Sequence, residues 1–281
     1  MTEVELKPGE RLDELQTGGF RLIQRPGTFC LGTDSVLLAR FCAPKRRERI
    51  ADLGCGNGAI ALLLAAHRPD CTVDGVELQA EMADMARRSV ALNGVQDRVR
   101  IHCADLRQAP ALLGIGGYSL IVCNPPYEAA GSGFPSATVQ ERIARQAEDL
   151  TLQELSESAN RLLKYGGRFC AVFPARRAFE LMRALHGAGL EPKRMQTVHA
   201  RADKPPRVVL IEAVKGAASG LKWLEPLLLY DADGHPSAQL RAVYENSDAD
   251  LQKVLSDFQS ADTNGHRCEA CSCQLFIVWI A

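Results

Sequence analysis

The chain lacks any apolar run near the roughly 18 residues that a membrane-spanning helix needs; its longest, Ala59–Ala66 and Leu275–Ala281, fall far short. It lacks a signal-peptide pattern too, because the start MTEVELKPGERLDEL carries acids where a basic segment and an apolar stretch belong, so the cytoplasm is the expected compartment. Net charge is nearly absent: 33 Lys and Arg face 34 Asp and Glu, leaving no uniform field to draw a polyanion. With 23 Gly and 14 Pro, the chain is too poor in both for collagen or low-complexity disorder. Neither G-x-S-x-G nor H-E-x-x-H occurs, which removes the common serine and zinc hydrolase signatures.

What is present is an ordinary globular composition, 46% hydrophobic and 24% charged, with charge unevenly placed. Arg161 to Arg207 holds eleven basic residues against three acidic ones, a patch suited to phosphates, whereas Glu245 to Ala281 holds six acids and two bases. Seven of the ten cysteines are scattered singly through apolar stretches, as at Cys123 and Cys170, and read as small buried hydrophobes.

From Arg49 onward, strand-like runs alternate with helical patterns. Strands are expected at Ile50–Leu53, Cys71–Glu77, Val99–Cys103, Tyr118–Cys123, Arg168–Phe173, Gln196–Ala200 and Val208–Ala213. Helices are expected at Ala59–His67, Ala80–Leu92, about Leu152–Leu163, and Ala178–His186. Repeated βα units need crossovers, so the expected fold is α/β: a mostly parallel seven-stranded sheet with helices on both faces and ligands at the carboxyl ends of its strands. Residues 1–44 read as an N-terminal arm or small antiparallel element, with a helix capped by Thr33 or Asp34 inside Phe29–Phe41. Residues 45–245 form the main domain, with Lys222–Tyr230 as its last strand, and 246–281 a polar, cysteine-containing tail.

Asp52-Leu53-Gly54-Cys55-Gly56-Asn57-Gly58 follows a strand and opens a helix. Glycines there allow a tight turn and close approach of a ligand to the main chain. The G-x-G-x-G spacing differs from the dinucleotide pattern G-x-G-x-x-G. Glu77, at the end of the next strand, is placed to accept ribose hydroxyls, and Asp105, after the third, to reach an adenine ring. Three carboxylates disfavour a pyrophosphate and favour the sulfonium and ammonium groups of S-adenosylmethionine, the expected cofactor. Cys123-Asn124-Pro125-Pro126-Tyr127 follows the fourth strand. The Asn124 side-chain oxygen and the Pro125 carbonyl can accept both hydrogens of an exocyclic amine as its charge develops, and Tyr127 can stack on a flipped base.

These residues resemble the class I S-adenosylmethionine-dependent methyltransferases, with a Rossmann-like fold and an amine-methylating Asn-Pro-Pro-Tyr tetrad. Over residues 15–245, GTDSVLLARF, CNPPYEAAGSG, ERIARQAEDLTLQEL, LLKYGGRF and PPRVVLIEAVKGAASGL are similar to the bacterial enzymes that methylate the adenosine beside the anticodon of valine tRNA. The resemblance implies cofactor contacts at Asp52, Gly54, Cys55, Gly56, Gly58, Glu77, Leu78, Asp105, Leu106 and Asn124. It implies catalysis by Asn124, Pro125 and Tyr127, a tRNA substrate, and no obligatory protein partner or membrane. Gln146 and Ala147 depart from the His-Glu of the family pattern. The alternatives are an enzyme acting on another RNA or DNA base or on a protein glutamine, and, in a different class, a catalytically idle RNA-binding protein. Cys268, Cys271 and Cys273 near His266 have spacing that suits zinc but lack a second ligand pair, so a thiol-rich tail and no metal are expected, with a disulfide among them as the alternative. His102, His186, His199 and His235 read as isolated histidines.

Overall fold

The computed structural model describes residues 5–15, 18–28, 30–125 and 150–244. Tyr127, Gln146, Ala147 and the Cys268–Cys273 cluster lie outside the described residues.

The chain opens with an antiparallel hairpin, β1 (Arg11–Glu14) and β2 (Arg21–Gln24), followed by α1 (Thr33–Cys42). The alternating unit follows: β3 (Arg49–Leu53), α2 (Ala59–His67), β4 (Thr72–Glu77), α3 (Ala80–Leu92), β5 (Val99–Cys103), α4 (Ala109–Leu113) and β6 (Tyr118–Cys123). After the segment outside the description come α5 (Leu152–Leu162), β7 (Leu163–Pro174), α6 (Ala178–Gly187), β8 (Leu190–His199) and β9 (Pro206–Lys215). Two short strands, β10 (Lys222–Trp223) and β11 (Leu227–Leu228), and α7 (Ala238–Tyr244) complete it.

The sheet runs β10-β8-β9-β7-β6-β3-β4-β5, with β11 also on β8. Its seven long strands are the expected ones. All but one run parallel; β9 lies antiparallel between β7 and β8, joined to β8 by the short Ala200–Pro205 connection that an antiparallel pair permits. Every residue of β6 is buried, as a central strand covered on both faces must be. α2 is apolar nearly all round because it is enclosed: seven of its nine residues are buried. α3 turns Met82, Ala83, Met85, Ala86 and Val90 inward and its charges outward. Thr151 and Glu154 form a reciprocal capping box at the start of α5.

Four expectations change, the first being β8, which starts six residues earlier than expected, at Leu190. Lys222–Tyr230 is two short strands, because Glu225-Pro226 intervenes and proline has no N–H to give the ladder. β7 begins five residues earlier than expected, at Leu163, and passes through Gly166 and Gly167 instead of turning there. A β-carbon on Gly167 would meet the Lys164 carbonyl at 2.8 Å, so only glycine admits that close passage. The N-cap of α1 is Gly32, with no side-chain cap bond, because the Asp34 carboxylate is drawn away to the Arg207 guanidinium. Cys42, Cys55, Cys71, Cys123 and Cys170 are buried thiols, as expected.

The hairpin is laced to α3. The Ile23 amide donates to Ser89 Oγ (2.9 Å), the Arg21 amide to Asn93 Oδ1 (2.8 Å), and Arg88 pairs with Glu10. That placement carries Gln24 to the glycine loop, where it accepts from Asn57 Nδ2 at 3.4 Å. No helix among the described residues is long and apolar enough to cross a membrane.

Candidate active site

Strand order assembles the site. β6, β3, β4 and β5 are neighbours and parallel, so their carboxyl ends bring Asn124, the Asp52–Gly58 loop, Glu77 and Asp105 into one row. In the sequence these positions are up to 72 residues apart.

Asp52 is fully buried, and among the described residues no group meets full hydrogen-bond geometry at either carboxylate oxygen, although the nearby Ala61 amide favours its charged form. Burial, reinforced by the nearby Glu77 charge, pushes its carboxyl up to about 7. Glu77 is buried too, and burial raises it, but the Gln79, Gly56 and Leu78 backbone amides offset part of that cost, with Gln79 donating to Oε1 at 2.8 Å and Gly56 to Oε2 at 2.9 Å. Glu77 therefore shapes the loop as well as lining it. Gly54, Gly56 and Gly58 all hold left-handed φ values, 74°, 56° and 85°. At Gly58 a β-carbon would also press on Ala86 Cβ at 3.1 Å, which leaves glycine as the one residue that fits. Cys55 is buried beneath the loop, and Leu78 stands half exposed beside Glu77.

Asp105 ends on the same rim, but its carboxylate is occupied. It caps the short 3-10 turn Leu106–Gln108 by accepting from the Arg107 amide at 2.9 Å, and Arg107 Nε also donates to it at 2.9 Å. The guanidinium holds this acid below the usual carboxylate range.

Asn124 is buried at the tip of β6, followed by buried Pro125. Its Nδ2 donates to Ser35 Oγ at 3.4 Å, and Ser35, in the first turn of α1, has no exposure at all. The contact steadies the amide, with Oδ1 turned toward the opposite side. α1 is fastened at both ends. Arg168 and Arg194 donate to its last carbonyls, Cys42 at 2.8 Å and Phe41 at 3.0 Å, and Asp34 pairs with Arg207. Burial raises the Asp34 carboxyl, and Arg207 opposes that rise. Reading the sequence did not single out Ser35; its only signal was a polar residue among the apolar positions of GTDSVLLARF.

The methyltransferase small domain family matches residues 19–188, a span that includes the glycine loop, Glu77, Asp105 and Asn124. The chain belongs to that family. A tRNA1(Val) (adenine(37)-N6)-methyltransferase from Dickeya chrysanthemi is 33% identical over 239 residues, covering 82% of this chain and 93% of the relative. One of the same name from Tolumonas auensis is 31% identical, covering 76% and 87%. Among solved structures, a predicted O-methyltransferase from Agrobacterium tumefaciens superimposes with a TM-score of 0.63 at 24% identity, covering 76% of this chain and 96% of that one, a likeness of fold.

The residues of this methyltransferase fit S-adenosylmethionine. A carboxylate fully buried beside a second buried acid is a costly arrangement that a cation relieves, and the donor carries two cationic groups. Asp52, Glu77 and the loop amides would hold it. A pH dependence follows. The Asp52 carboxyl lies at about 7 in the fold against an ordinary value of 3.8, so its contribution to stability is full below about pH 4. That contribution is lost as pH rises through about 7. The ligand-free protein should lose thermal stability over this window, cofactor should flatten the loss, and Asp52→Asn should remove it. Melting temperatures from pH 4 to 8 check this; an Asn variant with the wild-type slope assigns the dependence elsewhere.

The histidines are not isolated. His102 lies 3.1 Å from Asp74, His186 2.6 Å from Glu191, and His199 2.8 Å from the Lys204 carbonyl. His235 joins Asp231 and Asp233 in an exposed turn, where Asp231 accepts from the Asp233 and His235 amides.

Proposed function

We propose that this chain transfers a methyl group from S-adenosylmethionine to the exocyclic N6 of an adenosine in tRNA, the one at position 37 of tRNA1(Val). One observation carries the reading: the Asn124-Pro125 turn is buried directly beside an acid-lined glycine loop, in a chain that matches 93% of a relative bearing that name. The bound cofactor supplies an electrophilic methyl group. The protein's residues supply the rest.

The amine nitrogen of adenine is a poor nucleophile because its lone pair is delocalised into the ring. As that nitrogen attacks, it turns pyramidal and gains positive charge, and its hydrogens become more acidic. Asn124 Oδ1 and the Pro125 carbonyl accept hydrogen bonds from those N–H groups where the charge appears, so they favour the transition state over the ground state, and the methylated nitrogen then sheds one proton to water. Tyr127 stacks on the flipped base. Held geometry in a buried site supplies most of the remaining rate, and a reaction on tRNA fits a cytoplasmic protein.

Ser35 serves this step by aiming the Asn124 amide. Ser35→Ala should lower kcat roughly three- to tenfold, the equivalent of one net hydrogen bond, with the cofactor Kd unchanged. A change in Kd without one in kcat would instead make α1 part of the cofactor pocket.

The deciding experiment is mass spectrometry of tRNA nucleosides from cells with and without the gene, joined to methylation of purified tRNA1(Val) and of a transcript with guanosine at position 37. Loss of the methyladenosine in cells, and transfer only to the adenosine-bearing tRNA, are expected. An unchanged nucleoside profile sinks the assignment.

A further inference from the structure

Resting on the tRNA reading above, we propose that Phe179, flanked by Arg176 and Arg183, is a surface platform on which a base of the bound tRNA stacks beside the flipped adenosine. Phe179 sits in the first turn of α6 and is 73% exposed. The core face of that helix is complete without it: Ala178, Leu181, Ala184 and Leu185 are buried, and Phe179 points to the other side. A large apolar ring held in water by an otherwise regular amphipathic helix adds nothing to the fold's stability and costs solubility, which suits a contact made on binding.

Position ties the ring to the chemistry. β6 and β7 run parallel with Cys123 paired to Ala171, so Asn124 and the end of β7 lie on the same edge of the sheet, and α6 starts there after one short 3-10 turn. That turn, Ala175–Arg177, is pinned: the Arg177 guanidinium lies 5.3 Å over the Phe173 ring and pairs with Glu180 at 2.8 Å. The pairing neutralises Glu180, the only acid between Ala175 and Gly187. Arg176 is exposed in the pinned turn, and Arg183 is exposed one helical turn beyond Phe179. Among the described residues neither makes a hydrogen bond or ion pair. Among the described residues the other large exposed aromatics lack this setting: the Tyr165 hydroxyl is tied to the Gly216 carbonyl near the opposite edge, and Trp223 lies on the outermost strand.

The occupant follows from charge and shape. A flat ring flanked by two arginines matches an unpaired base between phosphates, which is how single-stranded nucleic acid is gripped, and an anticodon loop presents such bases next to the one being flipped.

The test measures tRNA1(Val) binding to the full chain by fluorescence anisotropy. Phe179→Ala should weaken binding about tenfold or more, the usual effect of losing one stacked base, with S-adenosylmethionine affinity unchanged. Phe179→Trp should keep the affinity, and its added indole emission should be quenched when tRNA is bound. Arg176→Ala with Arg183→Ala should flatten the plot of log affinity against log salt by about 1 to 2. Wild-type affinity in Phe179→Ala, or a tryptophan at 179 that tRNA does not quench, overturns the platform while leaving the enzyme's assignment standing. A Phe179→Ala protein that changes oligomeric state instead shows a self-association surface and also overturns it. Failure of the wild type itself to bind tRNA overturns the functional reading and the platform together.

Discussion

Asn124→Ala is expected to bind S-adenosylmethionine nearly as wild type does and to lose about 10² to 10³ in turnover. The size follows from where the amide acts. Its oxygen meets charge that exists only as the methyl group moves, so ground-state binding barely registers its loss. The structure sharpens the expectation, because Asn124 is buried and its Nδ2 is already committed to Ser35, which leaves the amide little freedom to lose. Single-turnover assays with saturating tRNA, beside calorimetry of the cofactor, separate the two effects. A turnover within threefold of wild type would sink the catalytic role.

Glu77→Ala should have the second largest effect, chiefly on cofactor affinity. Loss of a charged acceptor for ribose hydroxyls costs about 1.5 to 3 kcal/mol per bond. The fold adds a second loss. Glu77 also accepts from the Gly56 and Gln79 amides, so truncation leaves two loop donors to find water in a tight turn. Glu77→Gln keeps an acceptor oxygen and should lose less. Removing the Glu77 charge should in addition lower the raised Asp52 carboxyl, since Glu77 is one of the causes of that rise. Calorimetric affinity and the pH profile of melting read these separately; unchanged affinity in a folded Glu77→Ala protein would place the ribose elsewhere.

Both residues were legible in the linear sequence because their signals are local. Gly-rich spacing directly after a strand marks a loop that needs positive φ, and all three glycines adopt it. An acid at the last position of the following strand, and Asn-Pro-Pro after the fourth, stand at the rim of any parallel sheet. Ser35 and Phe179 were not legible that way. Ser35 matters because α1 packs against β7 and delivers its first turn to the end of β6, 89 residues onward. Phe179 is an apolar residue in an amphipathic helix, and only the helix's rotation tells that it faces water.

The order of elements, the parallel core, the acid-lined loop and the amide at the end of β6 are properties of the sequence itself, because hydrophobic period and glycine spacing act over a few residues at a time. Which strands became neighbours was decided by the tertiary structure, and with it the row formed by Asn124, Asp52, Glu77 and Asp105. The commitment of Asp105 to Arg107 and of Asp34 to Arg207 was decided there too. So was the complete burial of Asp52. Charge pairing and burial depend on distances between residues remote in the chain, and those distances exist only once the core has packed.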